Sequence, residues 1–437
     1  MTPSAPAAQQ PADTSEPISE TNGATPPSSH SARRLRLFNV KFSPNLGDGL
    51  LSECLEQALV DSGAHPDTHS IDLAARTAFG PGSPGRATQL RLLASLPPPL
   101  RQLAVRAPLT VAAHRTWRPH YEAALDGADA VVIGGGNLLA DLDLNFPTKL
   151  ALVTDAAARR GLPVFIYGCG VSPRWSKAGR RLLARMLNSG ALHGVFVRDE
   201  ASRQAWDGLS GARAGLPAQV VRDPGLLAAE RYGIPPVAKP SPQATVGLNI
   251  TDPVALRYHA DDALPAPAQE RWYLDCARGL LDAGHSLTVF TNGSPEDRAC
   301  LARLRPAIEA MAAARNGAGP AVFFPEAADP AMLARLIGSL RGLVAFRMHA
   351  VIAAYSCGVP FLALAWDGKL AAFLRSVSLE THLCRPTVTP PVEAVAALSR
   401  IMAQGIDPRD RARVLAETRE GVERLQAAIA ASLGTRR

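Results

Sequence analysis

The sequence predicts an α/β protein of two Rossmann-like domains facing across a cleft, and three observations carry that expectation. Apolar runs of strand length recur, each followed by glycine or polar residues and then by a helix-patterned stretch. The series occurs twice, divided by the proline-rich residues 235–242. With 437 residues, 47% hydrophobic and 19% charged, the chain is long and apolar enough to bury a core in each domain. The expected divisions are a tail at 1–33, domains at 34–234 and 243–385, and terminal helices at 390–437.

Residues 1–33 are rich in Ala, Pro, Ser and Thr and read as a disordered tail, without the basic and apolar regions of a signal peptide. Residues 35–42 (LRLFNVKF) form the first strand and 43–48 a turn. Residues 50–61 are an amphipathic helix with Leu51, Cys54, Leu55, Ala58 and Leu59 on one face. Asn45 and Asp48 thus fall in the first strand-to-helix loop, on the ligand-binding edge of a parallel sheet, where Asp48 either caps the helix or meets a ligand. The segment holding His65 and His69 is loop-like and no metal pair is expected there. Residues 80–120 place Arg86, Arg91, Arg101, Arg106, Arg115 and Arg118 among leucines and prolines. That is either a solvated helical face or a basic amphipathic excursion toward a membrane.

Residues 128–133 (ADAVVI) are a strand running into Gly134, Gly135, Gly136 and Asn137. Such glycines let the backbone approach a ligand or another element, although the run is neither a P-loop nor GxGxxG. Strands at 163–167 and 194–197 end in Gly168–Gly170 and in Arg198–Asp199, and a helix occupies 200–206. Residues 220–224 close this half.

The second series has strands at 245–250, 286–290 and 321–324 and helices at 270–283, 295–314 and 330–340. Asn292 lies just past the second of these strands. Residues 343–346 are a buried strand, Arg347 and His349 mark its end, and a helix at 350–355 is stopped by Gly358, Val359 and Pro360. A strand at 361–366 leads to Lys369, and helices at 392–403 and 408–433 end the chain. A helix N-terminus at such a strand edge, with Arg347, His349 and Lys369 beside it, makes a pocket for a small anion.

The formal charge of +7 is spread along the chain, aromatics are sparse at 5%, and no nucleic-acid motif is present, so nucleic acid is not an expected partner. No apolar run reaches membrane-spanning length; the longest uncharged stretch, 350–366, is broken by Gly358 and Pro360. The six cysteines show no CxxC spacing and read as free thiols in a reducing compartment. A cytoplasmic protein is expected, with peripheral contact at the inner face of the plasma membrane compatible with its basic charge.

Seven pieces in order then carry a resemblance: NLGD (45–48), ADAVVIGGGNLL (128–139), FIYGCGVSP (165–173), VRDEAS (197–202), VRDPGLL (221–227), VGLNI (246–250) and FRMHAVIAAYSCGVP (346–360). Together they resemble the polysaccharide pyruvyl transferase family over roughly residues 35–380. The resemblance implies a GT-B-like fold with the acceptor on the N-terminal side and the donor on the C-terminal side. It implies transfer from phosphoenolpyruvate to a pair of sugar hydroxyls, forming a pyruvate ketal on a polysaccharide or its lipid-linked precursor. It places donor binding and catalysis on Arg347, His349, Arg198 and Lys369. Met348, Asn45, Gly135, Gly136, Asn137 and Asn292 complete the expected donor-binding set. Phe346 stands where the family often has a small residue.

The residue types fit that chemistry on their own terms. Phosphoenolpyruvate carries a phosphate and a carboxylate, and Arg198, Arg347 and Lys369 offer cations for both. Ketal formation needs a proton at the methylene carbon, and His349 beside a phosphate dianion is a suitable acid, or else stabilises the departing phosphate. Asp48 would serve as base or bind the acceptor hydroxyl. Neither a metal nor a cofactor is called for, because the cations can neutralise the phosphate. Each role has a bland counterpart: strand-end packing for His349, an ion pair with Asp199 or Asp223 for Arg198, a solvated turn for Lys369, and loop satisfaction for Asn249 and Asn292. Two other functions remain open at this point. One is a GT-B glycosyltransferase whose Asp367 holds a nucleotide ribose; the other is a non-catalytic protein of polysaccharide assembly.

Overall fold

Strands covered on both faces must be apolar nearly throughout, and the central strands of the two parallel six-stranded sheets among the described residues meet that demand. The computed structural model describes residues 32–80, 108–141, 143–211, 215–236, 241, 243–253, 264–315, 319–365 and 368–434. The expected tail up to residue 31, most of the 80–120 excursion, the greater part of the 235–242 linker and Asp367 lie outside them.

The first sheet has the order β2-β1-β3-β4-β5-β6. Its strands are β1 (Leu35–Asn39), β2 (His69–Asp72), β3 (Ala130–Gly134), β4 (Val164–Cys169), β5 (Leu192–Val197) and β6 (Ala218–Val220). The second has the order β12-β11-β10-β7-β8-β9. It contains β7 (Val246–Asn249), β8 (Leu287–Phe290), β9 (Val322–Phe323), β10 (Gly342–Ala345), β11 (Phe361–Leu364) and β12 (Leu383–Cys384). Strand order reverses between β1 and β3 in one sheet and between β7 and β10 in the other. Those are the topological switch points beside which open α/β sheets bind ligands.

Three cores follow from this layering. The outer face of the first sheet is covered by α2 (Asn145–Arg159), α3 (Lys177–Leu187) and α4 (Glu200–Trp206). The outer face of the second carries α5 (Ala266–Asp282), α6 (Pro295–Ala313) and, near the end of the chain, α10 (Pro391–Gln404). A third core joins the two inner faces through α1 (Leu46–Asp61), α7 (Pro330–Gly338), α8 (Met348–Cys357), α9 (Gly368–Ser376) and α11 (Pro408–Gly434). Helix α8 sits inside it, buried from His349 to Cys357, which is why its sequence is apolar on every side.

Several expectations need correcting. Helix α1 begins at Leu46, not residue 50, because Asn45 is its N-cap and accepts from the Gly47 amide; Asp48 lies inside the first turn and does not cap. His69 opens β2 rather than lying in a loop. The last two helices do not form a unit of their own. Helix α10 packs on the second sheet, whereas α11 returns to the first: Gln426 donates to the Leu59 carbonyl, Arg222 pairs with Glu417 at 2.6 Å, and Gly421 lies against the Tyr167 hydroxyl. Phe346 turns away from the strand edge into the outer core against Tyr273, ring centroids 5.9 Å apart. No helix among the described residues is long and apolar enough to cross a membrane.

Candidate active site

The carboxyl ends of β1, β7, β8 and β10 meet at one seam, and most of the expected residues gather there. The first amide of α1, on Leu46, donates to the Asn292 carbonyl at 2.8 Å, so the helix start in one half is satisfied by the loop after β8 in the other. The next residue, Gly47, packs against His349: a Cβ at Gly47 would stand 2.8 Å from the His349 Cβ and 3.2 Å from both its Nδ1 and the Asn292 Nδ2. His349 Nδ1 lies 3.7 Å from Asp48 Oδ1, with the two side chains only 10% and 21% exposed. His349 Nε2 is buried and has no partner. Asn249 donates to Asn292 Oδ1 at 3.0 Å, leaving Asn249 Oδ1 and Asn292 Nδ2 buried without partners. Native structures pair such atoms, so this cluster of buried, unpartnered atoms around one histidine is suited to receive a polar ligand.

Helix starts differ across the seam in a way that matters for anions. At α1 the leading amides are taken, by Asn292 O, Asn45 Oδ1 and Asn45 O. At α8 the N-cap is Arg347, which offers no side-chain acceptor, and the amides of Met348 and His349 donate to no acceptor among the described residues. Two open N–H groups at the positive end of a helix suit a phosphate or carboxylate. Met348 enters the site through its amide; its side chain packs on the inner core.

Arg347 is held by a residue that sequence reading passes over. Its Nε and Nη2 donate to Asp297 Oδ2 at 3.0 and 2.5 Å, and Nη2 also reaches Ser294 Oγ at 3.1 Å. Asp297 is wholly buried and its other oxygen accepts from the Asp252 amide at 2.8 Å. Burial alone would lower the Arg347 pKa, but the Asp297 carboxylate outweighs it and raises it, with Asp48 adding to the effect. Acidic and basic side chains therefore alternate across the seam in the order Asp297, Arg347, Asp48, His349. The signal for Asp297 was an acid in the first turn of α6; its partner lies fifty residues on, and only the fold joins them.

A second group lies at the ends of β3, β4 and β5. The Arg198 side chain is 4% exposed and pairs with Asp199 at 3.3 Å. Its guanidinium and Asn137 Oδ1 both crowd Gly170, where a Cβ would be 2.5 Å from Arg198 Nη2 and 2.8 Å from Asn137 Oδ1. Asn137 Oδ1 and Asp223 Oδ2 are buried without partners, and burial pushes the neighbouring Cys169 thiol up to about 12. Gly225 links this group to the seam: a Cβ there would stand 3.1 Å from Asp223 Oδ1, 3.3 Å from Ile352 of α8 and 3.6 Å from Leu50 of α1. Arg198 makes no hydrogen bond to His349 or Arg347 in this arrangement.

Two members of the expected donor set are otherwise engaged. Gly135, at φ 80°, donates its amide to the Tyr167 carbonyl at 2.9 Å, and Leu51 of α1 fills the space where a side chain would go. A glycine here lets α1 pack closely against the end of β3. Asn45 is the α1 cap. Gly136, at φ 69°, faces open space on its Cα. Lys369 stands in the first turn of α9, half-buried. No group of three His, Cys, Asp or Glu side chains among the described residues is placed to hold a metal ion.

Comparison with known proteins adds a family and a fold. The sequence profile of polysaccharide pyruvyl transferases matches residues 45–368. No curated protein matches the sequence. A solved structure from Listeria monocytogenes, assigned as a UDP-N-acetylglucosamine 2-epimerase, superposes with a TM-score of 0.50 at 12% identity, covering 91% of this chain and 96% of that one. The UDP-forming α,α-trehalose-phosphate synthase from Burkholderia vietnamiensis gives 0.49 at 13% identity, covering 93% and 99%. At such identities the likeness is one of fold, the GT-B-like pairing of two parallel sheets.

Proposed function

Because the chain belongs to the polysaccharide pyruvyl transferase family, we propose that it moves the enolpyruvyl-derived group of phosphoenolpyruvate onto two hydroxyls of a saccharide, as a pyruvate ketal. The observation that carries this reading is His349, whose Nε2 is buried and unpartnered while its Nδ1 faces Asp48. An imidazole held at Nδ1 by a carboxylate presents Nε2 on its other side, which in the imidazolium form beside a phosphate dianion carries the proton to be given.

In this reading the donor's anionic groups lie at the open amides of Met348 and His349 and near Arg347. Closing the His349–Asp48 separation from 3.7 Å to about 3 Å would make it a hydrogen bond and fix Nδ1 as the donor to Asp48. His349 then gives its Nε2 proton to the methylene carbon, which becomes the ketal methyl, and C2 becomes electrophilic. One saccharide hydroxyl adds to C2, the C2–O bond to phosphate breaks, and the second hydroxyl adds in its place. Of the two hydroxyl protons released, one restores His349 and the other leaves with inorganic phosphate, so the step balances. Arg198 and Lys369 supply further positive charge if the halves close on the donor. The acceptor enters from the first sheet's side, on the cytoplasmic face of the membrane where its precursor is built.

Candidate acceptors are incubated with phosphoenolpyruvate; phosphate release together with a pyruvate ketal by mass spectrometry is the expected result. His349→Ala should lower the rate about 10²- to 10⁴-fold, the range for losing a positioned acid. Release of a nucleoside diphosphate from a nucleotide sugar, with phosphoenolpyruvate untouched, would replace this reading with glycosyl transfer.

A further inference from the structure

Helix α3 (Lys177–Leu187) carries its charge in a way that costs the fold. Residues 172–187 contain Arg174, Lys177, Arg180, Arg181 and Arg185 and no acid. Gly179, Leu183 and Met186 face the outer core of the first sheet, while Lys177, Arg180, Arg181 and Arg185 are exposed on the opposite side. Lys177 and Arg181, and Arg181 and Arg185, are like charges four residues apart, which repel. Lys177 and Arg180 also crowd the positive end of the helix dipole, where cations are disfavoured. Arg185 is relieved by Asp155, with Nε to Oδ1 at 3.2 Å. Among the described residues no carboxylate pairs with Lys177, Arg180 or Arg181. Asp141, the acid nearest the helix start, accepts from the Ser176 amide at 2.7 Å.

From this face we infer a docking surface for an anionic lipid bilayer. The exposed cations lie along one side of a helix about 16 Å long, with half-buried Leu182 and Leu187 flanking them at the edges of the buried face. No exposed aromatic stands among them for base stacking, so an anionic lipid surface complements them better than a nucleic acid strand. The position fits as well. Strand β4 ends at Cys169, Gly170 backs Arg198 and Asn137, and seven residues later α3 begins. A bilayer held at α3 therefore lies one short loop from the candidate site. Delivery of a lipid-linked acceptor there rests on the proposed function; the lipid contact itself does not.

The full-length protein is sedimented with vesicles of phosphatidylcholine alone, or of phosphatidylcholine with a third phosphatidylglycerol. Binding to the anionic vesicles only, lost when salt is raised so that charges are screened, is the expected result. A juxtamembrane cation contributes about fivefold to partitioning, so Lys177→Ala with Arg181→Ala should weaken it roughly 30-fold. The double variant should melt no lower than the parent, since like-charge repulsion is relieved, and should keep its turnover of a soluble acceptor. Equal binding to both vesicle types, no binding to either, tighter binding to duplex DNA at the same salt, or full binding by the double variant would each overturn the inference. Vesicle binding needs no phosphoenolpyruvate, so its failure leaves the proposed reaction standing, and failure of phosphate release leaves the docking result standing.

Discussion

Gly47→Ala tests whether the seam sets the position of His349. The backbone of Gly47 is not in the left-handed region, so alanine fits its conformation and gains up to about 1 kcal/mol of helix propensity in α1. Against this, the new methyl would sit 2.8 Å from the His349 Cβ and 3.2 Å from its Nδ1 and the Asn292 Nδ2. Carbon atoms rest at about 3.5–4.0 Å, so α1 and α8 must part by roughly 1 Å. Overpacking of this kind costs about 1–3 kcal/mol. The net loss of stability is then between zero and about 3 kcal/mol, a drop of a few degrees in Tm. Activity should suffer far more, because about 1 Å of misplacement at a reacting group can cost 10²-fold. The measurements are a thermal melt and the rate of phosphate release from phosphoenolpyruvate with its acceptor. A folded Gly47→Ala protein with unchanged kcat would refute the premise that close apposition of α1 and α8 positions the acid.

Three further outcomes follow from buried groups. Asp297→Asn leaves Arg347 without its counter-charge; breaking such a pair costs about 3–5 kcal/mol when fully buried, and the partial exposure of Arg347 puts this case at or below the low end, measurable by urea denaturation. Burial holds the Cys169, Cys276 and Cys357 thiols up at about 12, and all six cysteines are buried, so a thiol reagent at pH 8 should label the native protein negligibly and the unfolded chain fully. His382, packed edge-on to Phe361 at 5.2 Å, has its pKa lowered by burial, against a smaller raising contribution from the Phe361 backbone. The unfolded chain then takes up a proton first as pH falls, so stability is lost below about pH 6.5; a urea midpoint unchanged between pH 7 and pH 5.5 would count against it.

The strands that bury both faces were legible because their signal is local: β10 and β11 read as apolar runs between glycine and polar residues, and α4 coincides with residues 200–206. What escaped lacked a local signal. Helix α2 starts from Leu144 at φ 63° with no polar cap, so nothing marks its beginning. Strand β2 (HSID) is polar, an edge strand tied by Glu56 to the Ser70 amide and by Asn39 to the Ser70 hydroxyl. The start of α1 was misplaced because Pro44, Asn45 and Gly47 read as a turn, while the cap and the packing against His349 lie in three dimensions. Of the site, Arg347 and His349 were legible from their place at a strand end, and Asp48 from its place between the first strand and the first helix. Asp297 was not, since its charge matters only through a contact that the chain order conceals.

The path of α11 has a consequence for building hybrids of this protein. By sequence it follows the second sheet, yet Val414, Leu415, Val422, Leu425 and Ile429 complete the core that α1 and β1 begin. A recombinant that swaps one half for a homologue's by a single crossover near residue 240 would inherit a mismatched last helix. The modular piece is discontinuous: residues 33–234 travel with 408–434, and a two-crossover exchange is the one that keeps Gln426 over Leu59 and Glu417 beside Arg222.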